Sequence, residues 1–310
     1  MNWFLIGILA PFFWSLTNFI DKYTIGRFYD GGIKTGYMLL SFNTFSTLMI
    51  PVVFVLANGD IGGFSFLQIT SLFISSICFI AALFPYMHSL KAKDTSLIIP
   101  IFQVIPVFSL VLGFIFLDEN IGQTQLFLGF LTIFWAILIS VDLDKDLLKS
   151  RLDLRSLSLM LLACFIYGVG NVTFKAGVGD NEFWPALFWT QVGYALQGSF
   201  IMIFVRSARQ EAFGLIKQHG FELIRMSALN SFFDTTATIA YQFAMFSAPI
   251  FLASIVNSFQ PVFTFLMGLG LTILLPNLIK EDISRKILVQ KITLIILIFT
   301  TAVAFNYSLR

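Results

Sequence analysis

The stretch PIFLASIVNSFQPVFTFLMGLGLTILL, residues 249–275, contains no charged side chain. A helix that crosses a bilayer needs about 20 mostly apolar residues, so this stretch is long enough to span a membrane. The rest of the chain has the same character: of 310 residues, 57% are hydrophobic and 12% are charged, and the mean hydropathy is +0.87. Soluble domains carry about 25% charged residues. The sequence therefore predicts a multi-pass integral membrane protein.

Apolar runs separated by polar breaks predict an all-α integral membrane protein with ten transmembrane helices. The predicted spans cover residues 3–21, 36–57, 66–88, 95–117, 124–141, 157–175, 184–205, 223–246, 249–275 and 288–307. The N-terminal residues MNWFLIGILAPFFWSL lack a basic leader and a small-residue cleavage site, so we expect them to form a retained first helix. The segment 206–222 has mixed charge and is expected to lie on the membrane surface.

A polar stretch, DLDKDLLKSRLDLRS at residues 142–156, divides the chain into two five-helix halves. These halves, residues 3–141 and 157–307, resemble each other at a nearly constant offset, as expected of a duplicated transporter. Because each half has an odd number of predicted spans, the second half crosses the membrane in the opposite direction from the first. The expected architecture is two inverted five-helix repeats joined by a polar connecting loop.

The similarity between the halves rests on motifs that recur in the same order. An aromatic residue, an asparagine and a lysine follow one another at four-residue spacing in the first helix and, 153 residues later, in the sixth. A Pro-Val-Phe motif recurs in the fourth and ninth helices at an offset of 155, and a tyrosine recurs at that offset in the third and eighth. The matching pairs are Trp14/Tyr167, Asn18/Asn171, Lys22/Lys175, Pro106/Pro261 and Tyr86/Tyr241.

Lysine and arginine predict the orientation of the chain. With the ten spans above, 17 of the 19 basic residues fall in the five connections on one side of the membrane. The two exceptions are Lys175 and Arg310. The positive-inside rule therefore places that side in the cytoplasm and both termini outside.

These motifs resemble those of EamA-type carriers of the drug/metabolite transporter superfamily. The repeat of that family opens with an aromatic–small–x–x–Asn…Lys helix, here FWSLTNFIDK, and continues with a Tyr–x3–Leu helix end, here Tyr86 to Leu90. A Pro-Val-Phe helix and a Gly-Glu-like turn follow, here PVFSLVLGFIFLDEN with Asp118 and Glu119. The resemblance covers nearly the whole chain. It implies a ten-helix carrier that works by alternating access, often exporting amino acids or other small metabolites, and usually drawn with both termini in the cytoplasm.

Asp234 lies about halfway along the predicted eighth span. An ionised side chain at that depth costs about 2.5–3.5 kcal/mol on insertion scales, which suggests a functional role. Asn230 and Tyr241 share its helical face. Asp234 could take up and release a proton during transport, because burial and hydration shift a carboxyl pKa in opposite directions, or it could pair with a cationic substrate. Alternatively, it forms a static ion pair, for example with Lys175, or stays protonated and only packs.

Two equivalent helices place an aromatic ring one turn before a carboxamide. The pairs are Trp14 with Asn18 in the first helix and Tyr167 with Asn171 in the sixth. A ring offers a stacking surface, and an amide offers two donors and an acceptor, which together suit a small zwitterion. The alternative is that these side chains only join helices by packing and hydrogen bonds.

The fourth and ninth predicted helices combine prolines with polar side chains. A proline inside a span removes a backbone hydrogen bond and frees a carbonyl, and carbonyls freed at corresponding places in two inverted halves indicate a central site. Gln103, Asn257 and Gln260 lie beside these prolines, and we count them with Tyr86 as candidate substrate-binding or translocation residues. The alternative is a kink that only shapes packing.

These observations predict a secondary transporter, not an enzyme, in the bacterial cytoplasmic membrane. Its partners would be the lipid bilayer, protons and a small polar or amphipathic metabolite, with export of an amino-acid-like substrate favoured. Asp234 is the candidate for proton coupling, and facilitated exchange is the alternative. The sequence has no GxxxxGK[ST] loop, so ATP is not expected to drive transport directly. No cofactor is expected.

Other classes of protein fit the sequence less well. A net charge of +2 argues against nucleic-acid binding, which needs a concentrated basic surface. Two distant cysteines and two histidines argue against a thiolate or histidine metal site. A membrane-embedded enzyme acting on lipid-linked substrates is the alternative function. It would use interfacial acids, for which Asp118 and Glu119 are candidates, although neither has a histidine or cysteine partner in the sequence pattern.

Overall fold

The computed structural model describes residues 2–28, 47–92, 99–140, 154–274 and 285–308. The described residues form helices joined by short turns, and none of them lies in a strand. The predicted second span (36–57) and the predicted connecting loop (142–156) lie partly outside these residues. The α-helices are α1 (Asn2–Gly7), α2 (Leu9–Phe28), α3 (Thr47–Leu56), α4 (Phe66–Ala81), α5 (Leu83–Ala92), α6 (Ile105–Leu117), α7 (Gln123–Ser140), α8 (Leu154–Val178), α9 (Phe183–Phe204), α10 (Arg206–Ser247), α11 (Ile250–Ile255), α12 (Gln260–Leu274) and α13 (Arg285–Ser308).

Seven segments of the described chain are long and apolar enough to cross a membrane. They are Trp3–Asp21, Phe66–Tyr86, Pro100–Leu117, Gln123–Ser140, Leu154–Val178, Ile250–Leu274 and Ile287–Phe305. Large apolar side chains are exposed along these segments, as on Phe114, Phe127 and Ile296. An exposed apolar surface of this kind suits contact with lipid tails. The chain is therefore a helical, multi-pass integral membrane protein, as its composition predicts.

Prolines explain two of the breaks between helices. A proline lacks the N–H group that would bond the carbonyl four residues earlier. The helix α1 ends at Gly7, four residues before Pro11, and α4 ends at Ala81, four residues before Pro85. The predicted third span is thus two helices, α4 and α5, that meet at a proline-induced break.

Prolines also lie at breaks within the predicted fourth and ninth spans. A 3-10 segment, Ile99–Val104, precedes α6, and Pro106 is the second residue of that helix. A second 3-10 segment, Val256–Phe259, precedes α12, and Pro261 is again the second residue. Each of these prolines therefore lies just after a change from 3-10 to α-helix.

The helix α8 packs closely on both α4 and α6. Small residues allow this approach. A Cβ added to Gly177 would lie 2.7 Å from Leu72 Cγ, and one added to Gly168 would lie 2.9 Å from Phe108 Cβ. Elsewhere in the bundle, α2 packs against α10 and α12, and α7 packs against α13.

The helix α10 is two helical pieces joined at Gly220. This residue has φ 58° and ψ −139°, a left-handed φ that glycine adopts without steric penalty. The piece after Gly220 corresponds to the predicted eighth span and carries Asn230, Asp234 and Tyr241. The piece before it corresponds to the predicted surface segment and is helical.

Candidate functional site

The helices α2 and α10 run antiparallel and are joined by two polar contacts. The indole Nε1 of Trp14 donates a hydrogen bond of 3.1 Å to Oδ1 of Asp234. About two turns further along α2, Oδ1 of Asp21 accepts a hydrogen bond of 2.8 Å from Nδ2 of Asn230. Each carboxylate therefore has a neutral donor as its described hydrogen-bond partner.

Aromatic side chains from α5 and α8 extend this polar region towards the first half of the chain. The ring of Tyr86 lies 4.8 Å from the ring of Phe102, and the Phe102 ring lies 6.0 Å from that of Tyr167. Tyr167 is close enough to Asp234 to experience its charge. The Trp14 ring contacts the Tyr241 ring at 5.5 Å. These contacts bring four helices, α2, α5, α8 and α10, around one region.

Although this region is deep in the bundle, its side chains are not sealed off. Asp234 and Tyr167 are surrounded by protein, yet each keeps part of its surface accessible, as do Trp14 and Tyr86. We refer to this group of partly accessible residues, Trp14, Asp21, Tyr86, Tyr167, Asn230 and Asp234, as the central crevice.

A buried layer of polar side chains lies one helical turn beyond Tyr167. Nδ2 of Asn171 donates to Oγ of Ser109 (2.9 Å), to the hydroxyl of Tyr241 (2.9 Å) and to Oγ of Ser254 (3.3 Å). The Ser254 hydroxyl also donates to Oγ of Ser109 at 3.0 Å. Asn171 is 1% exposed and both serines are fully buried. This Asn171 layer is therefore sealed, whereas the residues of the central crevice are partly accessible.

One helical turn further, charged side chains hold the ends of helices. Nζ of Lys175 lies 3.7 Å from Oε1 of Glu119 and also donates to the carbonyl of Ala248. Oε2 of Glu119 accepts a hydrogen bond of 2.8 Å from the N–H of Ile250. Lys175 thus satisfies a carbonyl at the end of α10, and Glu119 satisfies an N–H at the start of α11. We call this group the junction cluster.

Burial and pairing act in opposite directions on Glu119. Burial raises the pKa of the Glu119 carboxyl above its ordinary value, whereas the Ile250 N–H and the Lys175 ammonium act to lower it. Asp118, immediately before it, has φ 51°, a left-handed conformation that ends α6 and turns the chain towards α11. The turn and the capping bonds together fix the position of Glu119.

The polar residues of the predicted ninth span lie against α2 and α10. The backbone carbonyl of Gln260 accepts a hydrogen bond of 3.2 Å from Ser15, and Thr264 donates to the Ser15 hydroxyl at 3.0 Å. Asn257 interacts with the Tyr241 hydroxyl, and its Oδ1 is buried without a hydrogen-bond partner. Asn257 and Thr264 therefore face the interior of the bundle, and Gln260 contributes its backbone carbonyl there.

Most of the predicted site residues lie together, with two exceptions. The central crevice, the Asn171 layer and the residues beside them contain the side chains of Trp14, Tyr86, Tyr167, Asn171, Asn230, Asp234, Tyr241 and Asn257, together with the backbone carbonyl of Gln260. Gln103 is buried in the 3-10 segment before α6, and Asn18 is partly exposed on α2. Neither of these two contributes a side-chain hydrogen bond to the clusters described above.

The suggested static ion pair between Asp234 and Lys175 is wrong. Lys175 pairs with Glu119 beyond the Asn171 layer, whereas Asp234 pairs with Trp14. Asp21 is a crevice residue that the sequence pattern did not single out. The Ser109 and Ser254 hydroxyls of the Asn171 layer carry no distinctive sequence signal, because isolated serines are common in apolar helices.

Comparisons with known proteins identify the fold but no family. No family model and no curated protein matches the chain. One solved structure, described as a crystal structure of a protein, is similar over 99% of this chain and 98% of its own, with a TM-score of 0.65 and 13% sequence identity. At this identity the likeness shows a shared fold only.

Proposed function

We propose that the protein is a secondary transporter of the EamA type, which moves a small polar or amphipathic metabolite across the membrane by alternating access. The observation that carries this proposal is the central crevice. In this group two carboxyl side chains, an amide and several aromatic rings lie together, and each keeps part of its surface accessible. Small-molecule sites are typically concave and largely apolar, with a few polar groups that orient the ligand.

The organisation of the helices supports the inverted repeat that such a carrier requires. The two transitions from 3-10 to α-helix fall between residues 104 and 105 and between residues 259 and 260, the same offset of 155 at which the sequence motifs recur. Helix packing follows the same relation. The first long helix of each half packs against the third span of the other: α2 against α10, and α8 against α4 and α5.

Polar contacts between the halves support a rocking motion. Side chains of residues 3–141 and 157–307 meet at Trp14–Asp234, Asp21–Asn230 and Ser109–Asn171. Such hydrogen bonds contribute about 0.6 kcal/mol each on average in membrane proteins. Contacts of this strength can exchange for others when the halves tilt, which alternating access requires.

The alternative of an interfacial enzyme gains no support from the acid that would have to act. Glu119 is occupied by Lys175 and by the Ile250 N–H. Both contacts have an evident structural role at helix ends. The distribution of basic residues instead supports a crevice that opens on the cytoplasmic side of the Asn171 layer, where a carrier would meet a metabolite for export.

Untargeted metabolite profiling tests the proposal. Cells that express the wild type, Asp234→Asn or Asn171→Ala at equal membrane levels are compared for intracellular and extracellular metabolites. Asp180→Asn is the matched control, because Asp180 is an exposed carboxylate in the turn after α8. We expect a few chemically related metabolites to redistribute with the wild type and the control, and at least a tenfold smaller effect with Asp234→Asn, corresponding to about 1.4 kcal/mol. If all four proteins behave alike, the crevice is not a transport site.

A further inference from the structure

We propose that the transported substrate is an organic monocation, a protonated amine on a small apolar or aromatic body, whose ammonium group is held by Asp234 beside the rings of Trp14 and Tyr167. This inference rests on the proposed function and specifies its substrate class. It departs from the amino-acid-like substrate that the family resemblance implies, because the proposed amine carries no carboxylate. Four properties of the central crevice support it: its acidic side chains, its separation from Lys175, its aromatic lining and its unpaired acceptor.

The first property is a pair of acidic side chains whose described hydrogen-bond partners are neutral. Asp234 binds the Trp14 indole, and Asp21 binds the Asn230 amide. Both donors are neutral, so they orient the carboxylates without cancelling their charge. Both acids lie on the same α2–α10 contact, with their partners Trp14 and Asn230 on the facing helix. Buried charges in proteins are normally paired, and among the side chains that the structure describes no lysine or arginine pairs with Asp234. A positively charged ligand would supply the missing partner.

The second property is the separation of the crevice from Lys175. Lys175 lies eight residues beyond Tyr167 on α8, roughly 12 Å along the helix axis. The buried Asn171 layer separates it from Asp234. It is also held by Glu119 and by the carbonyl of Ala248. A substrate carboxylate in the crevice would therefore meet Asp21 and Asp234 without the balancing lysine, which disfavours anions and amino-acid zwitterions.

The third property is the aromatic lining. Trp14 lies against Asp234, and the rings of Tyr86, Phe102 and Tyr167 form a continuous series across α5, the following 3-10 segment and α8. An ammonium group over such a ring gains about 0.5–2 kcal/mol, the upper value when it is desolvated. The same rings can bury an apolar body. Carboxylate and rings together favour an amine with an apolar group over an inorganic cation.

The fourth property is a buried acceptor without a donor. Oδ1 of Asn230, one helical turn from Asp234 on α10, is buried without a hydrogen-bond partner. Buried acceptors without donors are uncommon and costly. An ammonium group has three donors, which can be shared between Asp234 and this amide oxygen.

Exchange from loaded vesicles tests the charge of the substrate. Proteoliposomes containing the full-length protein are filled with a bacterial metabolite extract, and the compounds that leave are identified by mass spectrometry against protein-free vesicles. We expect the compounds that leave to be enriched in amines with net charge +1. If the protein releases anions or zwitterions instead, the inference is overturned while the transporter proposal stands. If it releases nothing, both are overturned.

A matched set of probes tests the role of Asp234. Phenethylamine, phenylalanine and 3-phenylpropionate share a phenyl group and carry net charges of +1, 0 and −1 at neutral pH. Competition with the exported compounds is measured for the wild type, Asp234→Asn, Asp234→Glu and the control Asp180→Asn. We expect phenethylamine to compete best of the three probes. In Asp234→Asn its competition should be about tenfold weaker or more, as for loss of a charged hydrogen bond. In Asp234→Glu its competition should partly recover. Stronger competition by 3-phenylpropionate, or equal competition in Asp234→Asn, would refute the assignment.

Discussion

The acidic side chains on the two sides of the Asn171 layer have different kinds of partner. In the junction cluster, Glu119 and Lys175 balance each other, and each also satisfies a free backbone group at a helix end. In the central crevice, Asp234 has only a neutral donor as its described hydrogen-bond partner. The distance along α8 between the two environments is only a few helical turns. An acidic side chain that is paired with a basic one within the protein stabilises contacts between helices. An acidic side chain without such a partner is available to a ligand.

The same contrast separates the two members of a sequence repeat. Asn18 and Asn171 occupy equivalent positions in the two halves. Asn171 joins three hydroxyl groups in a sealed layer, whereas Asn18 is partly exposed on α2. In the proposed inverted repeat, closure at one end necessarily puts equivalent residues in different environments. The difference between them is therefore expected of a transporter in one of its two end states.

The largest effect is expected from breaking the junction cluster. Removing one partner of a buried ion pair costs about 3–5 kcal/mol, and the partial exposure of this pair, 26% for Lys175 and 12% for Glu119, reduces the expected cost to about 2–3 kcal/mol. We expect Glu119→Gln and Lys175→Met each to lower the thermal stability of the purified protein. The amide oxygen introduced by Glu119→Gln can still accept from the Ile250 N–H, so this variant isolates the loss of charge.

The double variant provides the control for this prediction. Replacing both partners leaves no uncompensated charge, so Glu119→Gln with Lys175→Met should be less destabilised than the sum of the single variants by about 1 kcal/mol or more. Unfolding monitored by a thiol-reactive dye or by intrinsic fluorescence measures the difference. Additive single effects would show that the pair is not energetically coupled.

A smaller effect is expected from the repeat-related asparagines. Asn171→Ala removes the donor shared by Ser109, Tyr241 and Ser254 inside a sealed layer, which should cost about 1–3 kcal/mol. Asn18→Ala removes the same group from a partly exposed position and should cost less than about 0.5 kcal/mol. The comparison uses thermal stability in one detergent. Equal losses for both variants would contradict the proposed difference between the two positions.

Much of the fold follows from composition and from proline chemistry. The apolar runs predict the helices, and Pro106 and Pro261 predict the breaks at the start of α6 and α12 because a missing N–H has a fixed local consequence. The face shared by Asn230, Asp234 and Tyr241 is likewise correct, since it depends only on the helical period. These features are local, so a single sequence is sufficient to predict them.

The partners of these residues are not local, and the sequence predicts them poorly. Sequence reasoning offers Lys175 as a neutralising partner for Asp234, but packing of α8 on α6 brings it to Glu119 instead. Asp21 has no predicted role, yet it faces Asn230 across α2 and α10. Which side chain meets which depends on the rotation and height of each helix in the bundle, and neither quantity is fixed by periodicity alone.

The smallest effect is expected from the glycine that lets α4 approach α8 near the junction cluster. A Cβ on Gly177 would lie 2.7 Å from Leu72 Cγ and 3.0 Å from the backbone oxygen of Gln68, and Leu72 is fully buried. Gly177→Ala should therefore destabilise the protein by about 1–2 kcal/mol through overpacking. Gly270 has no atom within 4 Å of an added Cβ, so Gly270→Ala should leave stability unchanged or slightly raised. Thermal unfolding of both variants measures the difference. Equal stability of Gly177→Ala and Gly270→Ala would mean that α4 and α8 accommodate the added methyl group without overpacking.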